Sequence, residues 1–161
     1  MSEPLHAQPF DAFDGKTAEQ KLRETADREE IRELVSRYAL GIARGHQVGA
    51  FFTDDGVFIQ RLPGEPPQQF SGRAEYEPMY QMVADSMRPI PMIHNHLIDI
   101  DGDEARGQCA IELRMTADGK SMIGSGYYDD VYRRVDGRWR FAKRDATIFH
   151  MCDMKEGWVG R

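Results

Sequence analysis

Two histidines separated by one residue lie in a segment with the composition of a β-strand, Met92-Ile93-His94-Asn95-His96-Leu97-Ile98. Side chains alternate along a strand, so the pattern predicts that His94 and His96 share one face, with Ile98 and Ile100 beyond them. Polar groups among aliphatic side chains indicate a cavity, and a histidine there can transfer protons near neutral pH. The alternative for His96 is a core histidine that donates to a backbone carbonyl.

A metal site is the second chemistry that a His-x-His pair could support. Metal sites normally need a third protein ligand, and no third histidine or carboxylate has a diagnostic spacing here. The two cysteines, Cys109 and Cys152, form no metal-binding pattern and are expected to be free thiols. Cys109 falls on the apolar face of its strand and is expected to behave as a small buried hydrophobe. We therefore expect neither a metal nor a cofactor.

Composition restricts the classes of partner. The chain has 161 residues and a formal net charge of −6, which argues against a nucleic-acid surface. No apolar run approaches the roughly 18 residues of a membrane span. The first residues lack the basic start and apolar stretch of a signal peptide, so a cytoplasmic location is expected.

The first half of the sequence predicts an arm, two helices and one strand. Residues 1–16 are expected to form a flexible, extended N-terminal arm. Thr17 to Gln20 has the form of a capping box that begins a short helix, and Asp27 to Glu30 repeats it at the start of the main helix. The apolar stripe of that helix is Ile31, Leu34, Val35, Tyr38 and Ile42, and Gly45 should end it.

The rest of the sequence predicts one strand, an irregular loop, a helix and then a run of strands. Val57 to Gln60 should be a strand, 62–69 an irregular loop, and 72–87 a helix in which Pro78 is tolerable only in the first turn. The histidine strand leads into an antiparallel meander over 105–115, 122–134 and 138–149, with Asp-Gly turns between the strands. Helices followed by long strands predict an α+β fold, with helices on one face of a curved antiparallel sheet.

Several short motifs, taken in order, resemble the SnoaL-like domain of the nuclear-transport-factor-2-like superfamily. They are Asp27-Arg28-Glu29-Glu30-Ile31, Phe52-Thr53-Asp54-Asp55-Gly56, Ser71-Gly72-Arg73, His96 through Gly102-Asp103, Gly126-Tyr127-Tyr128 and Asp136-Gly137-Arg138-Trp139. The resemblance covers roughly residues 25–150. It implies that 17–161 is one domain, a cone-shaped α+β barrel in which a curved antiparallel sheet wraps a long N-terminal helix and leaves a deep apolar pocket.

The resemblance also implies roles for individual residues. His96 falls where scytalone dehydratase and its relatives place the catalytic histidine, and Tyr38 where ketosteroid isomerases place a tyrosine that stabilises an oxyanion. The aspartate that usually partners the histidine is replaced by Ala43. A second pocket histidine corresponds to Cys109, and the general-base aspartate of the isomerases to Gln60.

Six further residues, Cys109 among them, are candidates for contact with a substrate. His94, Tyr128 and Asp130 would line the pocket, Trp139 would form its wall, and Arg144 would pair with a carboxylate or bind an anionic substrate. Each has a structural alternative, as a core side chain or as a partner in a structural hydrogen bond.

Together these features predict a cofactor-independent lyase or isomerase that acts on a small apolar, aromatic or polycyclic molecule. His96 would be the acid or base, and Tyr38 would donate to the developing oxyanion. The alternatives are a non-catalytic small-molecule-binding module and the small subunit of a ring-hydroxylating dioxygenase. By analogy with the family, a second subunit should cover the open face of the sheet in a homodimer or homotrimer.

Overall fold

The computed structural model describes residues 4–7 and 13–156, which form two α-helices, six β-strands and two short 3-10 turns. The helices are α1 (Ala18–Ala43) and α2 (Arg73–Met87), and the strands are β1 (Phe52–Arg61), β2 (Gln68–Ser71), β3 (Ile90–Asp101), β4 (Glu104–Ala117), β5 (Lys120–Val135) and β6 (Arg138–Asp153).

One continuous helix, α1, replaces the two helices that the repeated cap signals predict. The capping box is present, with the Gln20 backbone N–H donating to Thr17 and the Thr17 N–H to the Gln20 side chain. Asp27 is not a cap. It lies inside the helix and is buried, because its carboxylate accepts from Trp139 Nε1 at 3.3 Å and from Arg134 at 2.6 Å. The helix ends as predicted, with Gly45 at φ 70° just beyond it.

The six strands form one sheet in the order β2-β1-β6-β5-β4-β3. All pairs are antiparallel except β1 with β6, which is parallel. The predicted meander and its turns are confirmed: Asp118-Gly119 and Asp136-Gly137 both have positive φ at both positions, as a two-residue type I′ hairpin requires. The α+β class is confirmed, and the sheet is curved and unclosed.

Two local predictions are wrong. Residues 62–69 are not entirely loop, because β2 begins at Gln68 and pairs with β1. Pro78 lies inside α2, beyond its first turn.

Both helices cover one face of the sheet, and register shifts between β5 and β6 bend that sheet. The core between helices and sheet is largely aromatic: Tyr38, Phe52, Tyr76, Tyr132 and Phe141 are all at most 2% exposed. Against the edge strand β3, Arg28 of α1 donates to the carbonyl oxygen of Ile98.

The other face of the sheet carries no helix in the described part of the chain. Leu5–Ala7 forms a 3-10 turn against β3 and β4 rather than part of an extended arm. Residues 1–3 and 8–12 of the predicted arm lie outside the described residues, as do 157–161 at the end of the predicted domain. Neither described helix has a stretch long and apolar enough to cross a bilayer.

Candidate functional site

A β-bulge in β3 separates the two histidines. His94 lies opposite Ala110 and Leu97 opposite Gln108, so two residues of β3, Asn95 and His96, occupy the place of one. Asn95 has φ 51°, a conformation that asparagine tolerates better than most residues. The extra residue shifts the alternation, so the prediction that His94 and His96 share a face is wrong.

His94 consequently lies on the helix-free face and is exposed, while His96 is half-buried on the helix-facing side. His96 Nε2 lies 3.2 Å from the Tyr132 hydroxyl oxygen. Burial, together with the positive charges of Arg144 and Arg32, lowers the pKa of His96 to about 4. The imidazole is therefore neutral at pH 7.

Beyond Tyr132 a chain of buried polar groups crosses the inner surface of β5 and β6. The Tyr132 hydroxyl donates to Asp130 Oδ2 at 2.8 Å. Arg144 donates to both oxygens of the same carboxylate, from Nε at 3.0 Å and from Nη2 at 2.9 Å. Burial raises the pKa of Asp130, and the guanidinium of Arg144 opposes that shift.

Arg144 is completely buried and is held by aromatic rings as well as by Asp130. Its guanidinium carbon lies 4.2 Å from the ring centroid of Tyr38, 3.8 Å from that of Tyr128 and 4.3 Å from that of Phe141. Cation–π attraction is strongest where water is excluded, as it is here. The site therefore contains a fixed positive charge in apolar surroundings.

Tyr38 reaches this cluster from α1. Its hydroxyl lies 2.8 Å from the hydroxyl of Tyr80 on α2, and burial raises the pKa of both phenols. Both hydroxyls are therefore protonated at neutral pH, and each can be a hydrogen-bond donor. Tyr80 was not among the sequence candidates, although its place on the apolar stripe of α2 was a signal for burial.

The remaining two candidates, Cys109 and Trp139, have structural roles. Cys109 is buried opposite Tyr128, and burial raises its pKa to about 12, so the thiol stays protonated. Trp139 donates to Asp27 of α1 and carries the Arg134 guanidinium 4.4 Å above its ring. Both side chains contribute to packing between sheet and helix.

The sequence candidates thus divide into two sets. Asp130, Arg144, Tyr38 and Tyr128 form one contiguous cluster, to which Tyr132 joins His96. His94 and Trp139 form the second set, which lies away from that cluster. Sequence reasoning missed Tyr132, although alternation along β5 puts it on the same face as the two candidates before it, at positions 128 and 130.

A groove of about 770 Å³ lies on the opposite, helix-free face. Its walls include Leu5, His6, Leu97, Gln108, Tyr127 and Lys143. On the helix-facing side, Arg144 contacts Asp130 and the rings of Tyr38 and Tyr128. No group of three or more His, Cys, Asp or Glu side chains within residues 4–7 and 13–156 is placed to hold a metal ion.

Comparison with known families identifies the domain. The sequence model of the SnoaL-like domain matches residues 23–145, which is most of the chain. The chain belongs to the SnoaL-like family. A search among curated proteins gives no significant match to this SnoaL-like chain.

Solved structures share the fold of this SnoaL-like domain. A variant of Rv3472, a protein of unknown function from Mycobacterium tuberculosis, is 26% identical over 85% of this chain and 80% of its own, with a TM-score of 0.71. A proposed scytalone dehydratase from Novosphingobium aromaticivorans is 19% identical over 86% and 96%, with a TM-score of 0.72. LinA is 20% identical over 88% and 95%, with a TM-score of 0.74. These similarities establish the architecture.

Proposed function

We propose that this SnoaL-like domain is a cofactor-independent lyase or isomerase, with His96 as its acid or base. The observation that supports this most is the half-buried, neutral His96 bonded to Tyr132 at 3.2 Å, at the end of a buried polar chain. A base must be unprotonated at working pH and held in one orientation, and His96 meets both conditions. The proposed scytalone dehydratase of the same fold agrees with a lyase, as an analogy.

The buried charge of Arg144 favours reactions in which negative charge develops on the substrate. Removal of a proton beside a carbonyl gives an enolate, and a fixed cation in surroundings of low polarity stabilises it more than water would. The Tyr38 ring lies beside that cation, and its hydroxyl stays protonated in a hydrogen bond shared with Tyr80. Dehydration, double-bond migration and retro-aldol cleavage all pass through such a state.

The substrate class follows from the surroundings of His96. His96 is more exposed than Tyr132, Asp130 or Arg144, so substrate would reach the network at the imidazole. The side chains behind it are mostly aromatic, and they favour a small, largely apolar aromatic or polycyclic molecule with one carbonyl or phenol oxygen.

The test is proton exchange catalysed by the protein in D₂O. A panel of small aromatic and polycyclic ketones is incubated with wild-type protein, and deuterium at the carbon beside the carbonyl is followed by NMR. His96→Gln should lower the exchange rate by about 100-fold or more. His94→Gln is the matched control, because that histidine is exposed on the other face of the same strand. Equal rates in His96→Gln and wild type would refute the proposal.

A second candidate function is small-molecule binding without catalysis, which the groove on the helix-free face favours. Its volume of about 770 Å³ suits a drug-sized ligand. Chemical-shift mapping distinguishes the two, because a ligand in the groove would perturb Leu97, Gln108 and Tyr127, whereas a substrate at the proposed site would perturb His96 and Tyr132.

A further inference from the structure

We propose that Tyr132, held by Asp130 and Arg144, is a positioning residue that fixes His96 in the tautomer with the proton on Nε2. Nδ1 is then the atom that takes a proton from the substrate and later gives a proton to the product. This assignment rests on the proposed function for its role in catalysis, but the tautomer itself can be measured independently.

Asp130 is ionised in its pair with Arg144. Both of its oxygens accept from Arg144, at 3.0 Å and 2.9 Å. An oxygen that carried a proton would present a donor to a guanidinium, which has no acceptor. The pair is therefore a carboxylate with a guanidinium, and Asp130 can only accept hydrogen bonds.

The Tyr132 hydroxyl donates one hydrogen bond and accepts another. Its hydroxyl has one hydrogen, and the 2.8 Å contact with the Asp130 carboxylate takes it. The hydroxyl oxygen is then left as an acceptor for the group on its other side, His96 Nε2 at 3.2 Å. A neutral imidazole that donates from Nε2 has its lone pair on Nδ1.

Two backbone features allow this contact. The bulge at Asn95 turns His96 toward the helix-facing side of the sheet. Gly107, on the neighbouring strand, leaves the space that the two rings share. A Cβ at Gly107 would lie 2.6 Å from Tyr132 Cε2, 2.8 Å from its hydroxyl oxygen and 3.0 Å from His96 Nε2.

The consequence is a substitute for the histidine–carboxylate dyad of the related dehydratases, which this sequence lacks. Ala43 occupies the position of the usual aspartate, and no carboxylate side chain can extend from it. Here the carboxylate of Asp130 orients the imidazole through the Tyr132 hydroxyl. During turnover Nδ1 would gain the substrate proton to give an imidazolium, Nε2–H would stay bonded to Tyr132, and the Nδ1 proton, free to exchange with solvent, would then be given to product.

The tautomer can be read by NMR of protein labelled with ¹⁵N-histidine, with the His96 signals assigned by their absence in His96→Gln. In wild type we expect a protonated Nε2, an unprotonated Nδ1 and slow exchange of the Nε2 proton with water. In Tyr132→Phe the Nε2 proton should exchange at least about 10-fold faster, since its acceptor is gone.

Tyr76→Phe is the matched control, because it removes a buried hydroxyl that bonds to the Thr53 carbonyl rather than to His96. Its His96 signals should be those of wild type. A proton on Nδ1 in wild type would overturn the assignment, as would unchanged exchange in Tyr132→Phe. Circular dichroism of each variant confirms that it is folded.

Activity separates this inference from the function it rests on. If His96 is the base, Tyr132→Phe should lower kcat by about 10-fold or more with little change in KM, because the reacting nitrogen is no longer held in place. An active His96→Gln would refute the proposed function while the tautomer result stood. A Tyr132→Phe variant with wild-type kcat beside an inactive His96→Gln would refute the positioning role alone.

Discussion

The lowered pKa of His96 makes the stability of the fold depend on pH in a window that a single substitution can identify. The pKa of His96 is about 4 in the folded protein, whereas an unfolded histidine has a pKa near 6.5. Below pH 6.5 the unfolded chain therefore binds a proton that the folded chain excludes. The contribution of His96 to stability is fully present above about pH 6.5 and is lost as the pH falls toward 4.

The magnitude follows from the two pKa values. They differ by about 2.5 pH units, and each unit corresponds to about 1.4 kcal/mol, so the whole window contributes about 3 kcal/mol. Between pH 7.5 and pH 5, where most of the unfolded histidine becomes protonated and little of the folded histidine does, the expected loss is about 2 kcal/mol.

The assay is urea unfolding of wild type and His96→Gln at both pH values, with His94→Gln as the control. Subtracting the variant removes the contributions of all other groups, including Asp130, whose raised pKa acts in the opposite direction. Wild type and His94→Gln should each lose about 2 kcal/mol more than His96→Gln. Equal losses in all three proteins would show that His96 is not desolvated as the structure has it.

Two further predictions concern the groups around His96. Gly107→Ala should destabilise the fold by about 1–3 kcal/mol, since its methyl group would overlap the Tyr132 ring; thermal denaturation measures this, and an unchanged midpoint would contradict the packing. Arg144→Met should cost about 3–5 kcal/mol near pH 7, because it leaves the Asp130 carboxylate buried without its partner. That loss should shrink at low pH, where Asp130 takes up a proton, and urea unfolding at pH 7 and pH 4 would reveal a constant loss if the reasoning were wrong.

Sequence signals that act within a few residues predicted the main helix and the strands of the meander. The apolar stripe from Ile31 to Ile42 and the two Asp-Gly turns led to α1 and the meander without any tertiary contact. Asp27 shows the limit of such signals. The same residue type that caps a helix can lie inside one when distant donors satisfy it, and here those donors are Arg134 on β5 and Trp139 on β6.

The sequence predicted most of the residues of the candidate site but not how they contact one another. Alternation along β5 marks the inward positions, yet the link from Tyr132 to His96 needs both the strand order and the bulge at Asn95. A bulge changes the face of every later side chain while hardly changing the composition of the strand. His94 was therefore assigned to the wrong side for a reason that residue types alone do not contain.

β3 lies at one end of the strand order, so within residues 4–7 and 13–156 one row of its backbone amides and carbonyls has no neighbouring strand. A regular border of this kind invites pairing with a foreign strand, and an irregularity in it discourages such growth. The bulge at Asn95 is therefore also expected to disfavour aggregation through this edge. Removing the bulge by redesign would turn His96 away from Tyr132 and leave a regular strand edge that favours aggregation.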